Sequence, residues 1–201
     1  APERLMVVRL DRDDLIAGLR ELVARVQREG LTGVSIEIIG GAALRLAYIE
    51  RATTVDIDAR LAPEEQLAPI IHGIAAERAW PENWLTSDAE QFIPRWGRDV
   101  HWRTLWSSDG VTINVASPEA LLAMKLHAVQ HRGNRDIGDV AKLMTIVGID
   151  SVDSAEDLYS EFYPGDEFTP RTYERVERVF AVGLPERELP PPPPFVRDGQ
   201  H

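Results

Sequence analysis

A glycine pair and two aspartates are the residues of this sequence best suited to chemistry. Gly40 and Gly41 follow an apolar segment, and Asp56 and Asp58 lie one helix and one polar loop further along. Backbone N–H groups beside glycines at the start of a helix bind phosphate oxygens. Carboxylates suit Mg²⁺, which takes one or two of them together with phosphate oxygens and water. Alone, either feature is common in turns and solvated strands, so the ordered combination predicts a site for a nucleoside triphosphate and a divalent metal.

Apolar periodicity predicts the elements that must position these residues. An N-cap aspartate, Asp11, opens the first helix, and Ser117-Pro118 opens a later one. Asp56 and Asp58 are expected on one face of a strand, because strand side chains alternate. The expected helices cover 12–28, 42–49, 64–79, 119–131, 135–147, 153–162 and 170–182, and the expected strands cover 34–39, 55–61, 100–106 and 111–115.

This order of elements predicts the α+β class, with a small mixed sheet, flanking helices and a C-terminal helical bundle. The expected division is a core over 1–116, a helical region over 117–185 and a flexible tail over 186–201. The tail contains five consecutive prolines, which favour an extended polyproline conformation.

A lysine and an aspartate on the two later helices form a second candidate group. The first of these helices is apolar nearly all round and should be buried, yet it carries Lys125. On the next helix Asp136 falls near the middle of the apolar face and Asp139 on its edge. A buried carboxylate needs a partner. The residues leave open whether Lys125 and Asp136 form a structural ion pair or serve a bound ligand.

The order and spacing of these residues resemble a known family. Gly40-Gly41 before a helix, followed by Arg51-x-Thr-Thr54-x-Asp56-Ile-Asp58, is similar to the signature of polymerase-β-type nucleotidyltransferases. Leu-Leu-Ala-x-Lys on one helix and Arg-Asp-x-x-Asp on the next make the AbiEii-like group the closest likeness. That group includes MenT-like toxins of toxin–antitoxin systems. The resemblance covers about residues 34–61 and 113–147.

The resemblance implies a catalytic role for Asp56, Asp58, Lys125 and Asp136, with Asp139 as the alternative carboxylate. It places the nucleotide at Gly40, Gly41, Arg51, Thr54 and Lys125, and it makes Asp56 and Asp58 ligands of Mg²⁺ or Mn²⁺. The implied reaction transfers a nucleoside monophosphate from an NTP such as ATP to RNA, with the tRNA 3′ end as the first acceptor to consider. An antitoxin protein is the implied partner, and phosphorylation of Thr54 would be inhibitory because it sets negative charge against the aspartates.

One departure from the family pattern bears on activity. Many related enzymes carry a third catalytic carboxylate on the later strand, where this chain has Asn114. An amide is a poor general base and a weak metal ligand, so Asp136 must fill that role or activity is low. Asn114 thus supports one alternative, a catalytically weak binding module. The other alternative is a protein-modifying (AMPylating) enzyme, in which a protein hydroxyl replaces RNA as the acceptor.

Composition limits the partners. The net charge is −11 and there are no cysteines, which excludes thiolate metal sites and disfavours a broad surface for nucleic acid. A local RNA contact is predicted at Arg95, Arg98 and Arg103, which lie among all five tryptophans, although such tryptophans more often fill a core. His72, His101, His127 and His131 lack the company of other ligands, so no zinc site is expected. No apolar run is long enough for a membrane span, and a cytoplasmic protein is expected.

Overall fold

The computed structural model describes residues 8–50 and 53–195, and these form two compact units. The described residues of unit 1 fall within Ala1–Gln91, Arg103–Val115 and Pro190–His201, and unit 2 comprises Phe92–Trp102 and Ala116–Leu189. The class is α+β, as the sequence predicts. The division differs from the sequence-based one in two places, since residues 92–102 group with the later helices and the end of the chain groups with unit 1.

A five-stranded mixed sheet lies at the centre of unit 1. Two residues of its strands, Trp102 and Ala116, are assigned to unit 2. The strands are β1 (Val34–Ile38), β2 (Ile57–Ala62), β3 (Leu85–Thr86), β4 (Trp102–Ser108) and β5 (Val111–Ala116), in the order β3-β2-β1-β5-β4. β1 runs antiparallel to β2 and parallel to β5, and β2 runs parallel to β3. The turn at Asp109-Gly110 joins β4 to β5, where a hairpin is predicted.

Helices pack on the apolar face of this sheet within unit 1. They are α1 (Arg12–Arg28), α2 (Gly40–Ala47) and α3 (Glu64–Arg78). Asp11 caps α1 as predicted, in a reciprocal box with Asp14. In β1 the residues Val34, Ile36 and Ile38 are buried, while the intervening side chains are only half-buried, so one face of the sheet carries polar groups.

Unit 2 is mainly helical. Its helices are α4 (Pro118–Arg132), α5 (Ile137–Val147), α6 (Val152–Phe162) and α7 (Pro170–Val182). Side-chain oxygens of Ser117, Ser151 and Thr169 cap three of them by accepting backbone N–H groups, which stabilises helix ends. The predicted cap and proline at the start of α4 are confirmed.

Two predicted positions of site residues are wrong. β2 begins at Ile57, so Asp56 lies just before the strand. Asp136 lies in a 3-10 turn over Asn134–Asp136, and α5 begins only at Ile137. Periodicity extended the helix too far, because Gly133 adopts φ 92° and delays its start. Asp139, predicted on the edge of the apolar face, is the buried carboxylate of α5.

The end of the described chain is anchored within unit 1. The Arg12 guanidinium donates to the carbonyl of Pro192 and also to the carbonyls of Arg45 and Leu46 near the end of α2. Phe195 is buried, with its ring centroid 5.8 Å from that of Trp106. The segment has no regular secondary structure. Its contacts at Pro192 and Phe195 nevertheless attach it to unit 1, in a region predicted as a flexible tail. Residues 196–201 of the predicted tail lie outside the described residues.

Candidate functional site

The start of α2 and the carboxylate of Asp58 lie side by side in unit 1. Ile39 occupies the N-cap position and provides no side-chain cap, so the first-turn N–H groups of α2 are not satisfied by that residue. The Ile39 N–H donates to the Asp58 carbonyl at 2.9 Å, which ties the helix start to β2. The predicted pairing of the glycine motif with the aspartate strand is therefore present.

Gly40 has a steric reason to be glycine. Its φ is +66°, a left-handed conformation that costs other residues free energy. A Cβ on Gly40 would also lie 3.2 Å from Asp58 Oδ2, closer than an ordinary contact. The missing side chain thus leaves room for the carboxylate at the positive end of a helix, the place where anions and their counter-ions are commonly held.

The loop before β2 is shaped by Thr54. Its backbone pairs with Leu10 through two hydrogen bonds of 2.8 and 3.0 Å. Its hydroxyl donates to the Asp56 carbonyl at 3.2 Å, which fixes the turn that carries Asp56 toward the strand. Thr54 therefore has a structural task in addition to any contact with phosphate. Arg51 lies outside the described residues, so its predicted role is left as a prediction.

The polar face of the sheet contains a carboxylate that the sequence reading missed. Glu37 is the register partner of Asn114 on β5 and of Arg60 on β2. Arg60 Nη2 lies 2.5 Å from Glu37 Oε2, so this carboxylate is engaged in an ion pair. The alternation of apolar and polar residues along β1 was the sequence signal that could have identified Glu37. Glu37 occupies the row of Asn114, where the family pattern puts a catalytic carboxylate.

In unit 2 the structure brings Lys125 together with both candidate carboxylates. Lys125 Nζ lies 2.5 Å from Asp136 Oδ1 and 3.1 Å from Asp139 Oδ2. The three side chains keep only 13%, 18% and 10% of their exposure, respectively. The predicted ion pair is present, with a second carboxylate added. One lysine thus lies between two carboxylates.

The predicted RNA-contact arginines have different surroundings. Arg98 pairs with Glu161 at 3.0 Å and lies over the Phe162 ring, so its guanidinium is already used within unit 2. Arg103 lies over the ring of Tyr48 in unit 1. Arg95 is exposed beside Trp96, which keeps 90% of its exposure.

The tryptophans also divide between core and surface. Trp84 is fully buried in unit 1 and donates to the Ile71 carbonyl at 3.0 Å, as a structural core residue does. Trp96 in unit 2 is the exposed exception. Of the predicted strip, Trp96 has the exposed ring that stacking on a base requires.

The expectation that the histidines lack neighbouring ligands is wrong for two of them. His127 and His131 on α4 lie with Asp166 so that one ligand atom from each is within 4.8 Å of the others. The i, i+4 histidine spacing was visible in the sequence. Asp166 was not predictable as their companion, because it comes from the connection between α6 and α7.

An all-oxygen donor set suits a hard divalent cation, and the structure places one such donor, the Asp58 carboxylate, beside Gly40 at the start of α2. The assignment of Mg²⁺ or Mn²⁺ to Asp56 and Asp58 stays a prediction. The Lys125 group in unit 2 is separate in sequence and belongs to the other compact unit.

The comparisons with known proteins add no identification. No family model, curated protein or solved structure matches this chain. In the part of the chain that the structure describes, no helix is long and apolar enough to cross a membrane. Any assignment of function therefore has to be argued from the residues themselves.

Proposed function

We propose that this protein is a metal-dependent nucleotidyltransferase that moves a nucleoside monophosphate from an NTP to an RNA acceptor. The observation that carries the proposal is the Asp58 carboxylate packed against Gly40 at the uncapped start of α2. A helix start offers N–H donors to phosphate oxygens, and an adjacent carboxylate offers a ligand to the accompanying cation.

In the proposed reaction the acceptor hydroxyl oxygen bonds to the α-phosphorus of the NTP. The bond between that phosphorus and the bridging α–β oxygen breaks, and pyrophosphate leaves with the electron pair. The acceptor's proton passes to a carboxylate. Bound Mg²⁺ or Mn²⁺ supplies neutralisation of charge on the triphosphate and on the transferring group.

The chain's own residues bind and orient the substrate on this proposal. The first turn of α2 holds phosphate oxygens, and the Thr54 hydroxyl keeps the Asp56 loop in place through the Asp56 carbonyl. The resemblance gives Lys125 a contact with the triphosphate, and in unit 2 its ammonium is engaged by Asp136 and Asp139.

The proposed acceptor is RNA, with the 3′ end of tRNA first, and the proposed biological setting is a toxin with a protein antitoxin. These finer statements rest on the resemblance of the Gly40-Gly41…Asp56-x-Asp58 and Lys125…Asp136 motifs to the AbiEii-like group. The exposed Trp96 beside Arg95 supports an RNA contact, since aromatic rings stack on bases and arginine meets phosphate.

A second candidate is a binding module that uses the fold without efficient catalysis. Asn114 stands in register with Glu37, and that carboxylate is already paired with Arg60. At this position β5 carries the Asn114 amide, where related enzymes have a catalytic acid. Such a protein would bind NTP and metal but transfer the nucleotide slowly or not at all.

Incubation with α-labelled NTPs, Mg²⁺ and total tRNA, with cell proteins in a parallel reaction, separates these functions. Label in RNA supports the proposal, label in a protein band supports AMPylation, and binding of NTP–Mg²⁺ by calorimetry without transfer supports the module. The proposal fails if no labelled RNA forms with any NTP.

A further inference from the structure

A cluster of two histidines and one aspartate in unit 2 lies outside the proposed transfer site. His127 and His131 are one helical turn apart on α4, and their ring centroids are 4.3 Å apart. Asp166 approaches them from the connection between α6 and α7, with Oδ2 3.9 Å from His127 Nδ1. None of the three belongs to the predicted nucleotide or catalytic residues.

Two neighbouring side chains hold this cluster in position. The Tyr159 hydroxyl donates to Asp166 Oδ2 at 2.5 Å and lies 3.0 Å from His127 Nδ1. Gln130 Nε2 donates to the other Asp166 oxygen at 3.1 Å. The Tyr159 hydroxyl therefore connects the Asp166 carboxylate to the His127 ring.

Aromatic neighbours hold the His127 ring in place. The ring stacks on Tyr163 at 4.7 Å, with Phe92 at 6.0 Å, and Arg132 lies over Phe92. A ligand whose ring is already oriented loses little freedom when it binds a metal.

We propose that His127, His131 and Asp166 form a binding site for a divalent transition metal such as Zn²⁺. Imidazole suits Zn²⁺ and its first-row neighbours, whereas Mg²⁺ prefers an all-oxygen set. Three protein ligands leave a coordination position open to water or to a further group. The site is independent of the nucleotidyltransferase proposal, because it shares no residue with it.

The dimensions suit such an ion after a small contraction. Three atoms as much as 4.8 Å apart surround a point about 2.8 Å from each, whereas zinc ligands lie about 2.0–2.1 Å from the metal. Each ligand atom therefore has to move by about 0.7 Å. His131 is exposed at the end of α4, so its ring can supply much of this movement by rotation.

The decisive variant is His131→Ala. His131 is exposed, so its removal should leave the fold intact, whereas His127 is packed against Tyr163. Full-length protein without an affinity tag is stripped with a chelator and titrated with Zn²⁺ against a coloured indicator. Wild type should bind one Zn²⁺ per chain at this site, and His131→Ala should bind it at least tenfold more weakly.

His72→Ala is the matched control, because it removes an exposed histidine on α3 of unit 1. It should keep the wild-type affinity, and Asp58→Ala should keep the stoichiometry of this zinc. Co²⁺ should give visible absorption bands in wild type and in His72→Ala that are lost in His131→Ala. Equal Zn²⁺ affinity of wild type and His131→Ala, or loss of the zinc in Asp58→Ala alone, would overturn the proposal.

Discussion

Replacing Lys125 by methionine should destabilise unit 2 far more than replacing either of its partners. Lys125 is the cation between Asp136 and Asp139, at 2.5 and 3.1 Å, and all three are largely buried. Without it the two carboxylates lose the cation that they share. Removing one partner of a buried pair costs about 3–5 kcal/mol, and the residual exposure points to about 3 kcal/mol here.

The single variants Asp136→Asn and Asp139→Asn should cost less, about 1–2 kcal/mol each. Each leaves Lys125 paired with the remaining carboxylate, so the group becomes neutral. Adding both asparagines to Lys125→Met should recover most of the stability, because no buried charge then remains. Urea unfolding monitored by circular dichroism measures the free energy of unfolding of each variant and so ranks them. Hydrogen exchange in α4 and α5 shows where the stability is lost.

A loss below about 1 kcal/mol in Lys125→Met, or no recovery in the triple variant, would contradict this reasoning about buried charge. The relative stabilities of these variants also decide how their activities are interpreted. If Lys125→Met unfolds part of unit 2, its loss of activity says little about phosphate binding. Asp139→Asn is then the better probe, because it keeps Lys125 and Asp136 together.

Three further outcomes follow from individual contacts. Gly40→Ala should cost about 1–2 kcal/mol in urea unfolding and weaken NTP–Mg²⁺ binding by displacing Asp58, whereas Gly138→Ala, in open space, should be neutral or slightly stabilising. Because burial lowers the pKa of His127, the free energy of unfolding should fall as pH drops below about 6.5, and His127→Gln should flatten this slope in a pH series of urea melts. Phe195→Ala should cost about 2 kcal/mol and speed proteolysis of the chain end, and unchanged cleavage would show that the anchor does not hold.

Local signals in the sequence were sufficient for most elements of the fold. The Asp11 cap, the Ser117-Pro118 start and the Asp109-Gly110 turn each have a short-range physical cause, and each is found. Boundaries were less predictable where a turn precedes an element. Asp56 and Asp136 both lie one residue before the element expected to carry them.

The candidate site was predictable only where residues that lie close together also have a recognisable spacing along the sequence. The pairing of Lys125 with Asp136 follows from two adjacent helices, each with a charge on its apolar side. The closeness of Asp58 to Gly40 depends on strand register, which the family resemblance implied and periodicity alone did not. Asp166 joins the histidines from a connection with no periodic pattern, so no sequence rule could place it there.

The most direct test of the proposed function is transfer of labelled nucleotide by the isosteric variant Asp58→Asn. This change keeps the shape beside Gly40 and removes the charge. Asp13→Asn, an exposed site in the first turn of α1, is the matched control. Wild type and Asp13→Asn should label tRNA from an NTP in the presence of Mg²⁺, and Asp58→Asn should lose at least a hundredfold in rate while remaining folded. Equal labelling by wild type and Asp58→Asn would contradict the account.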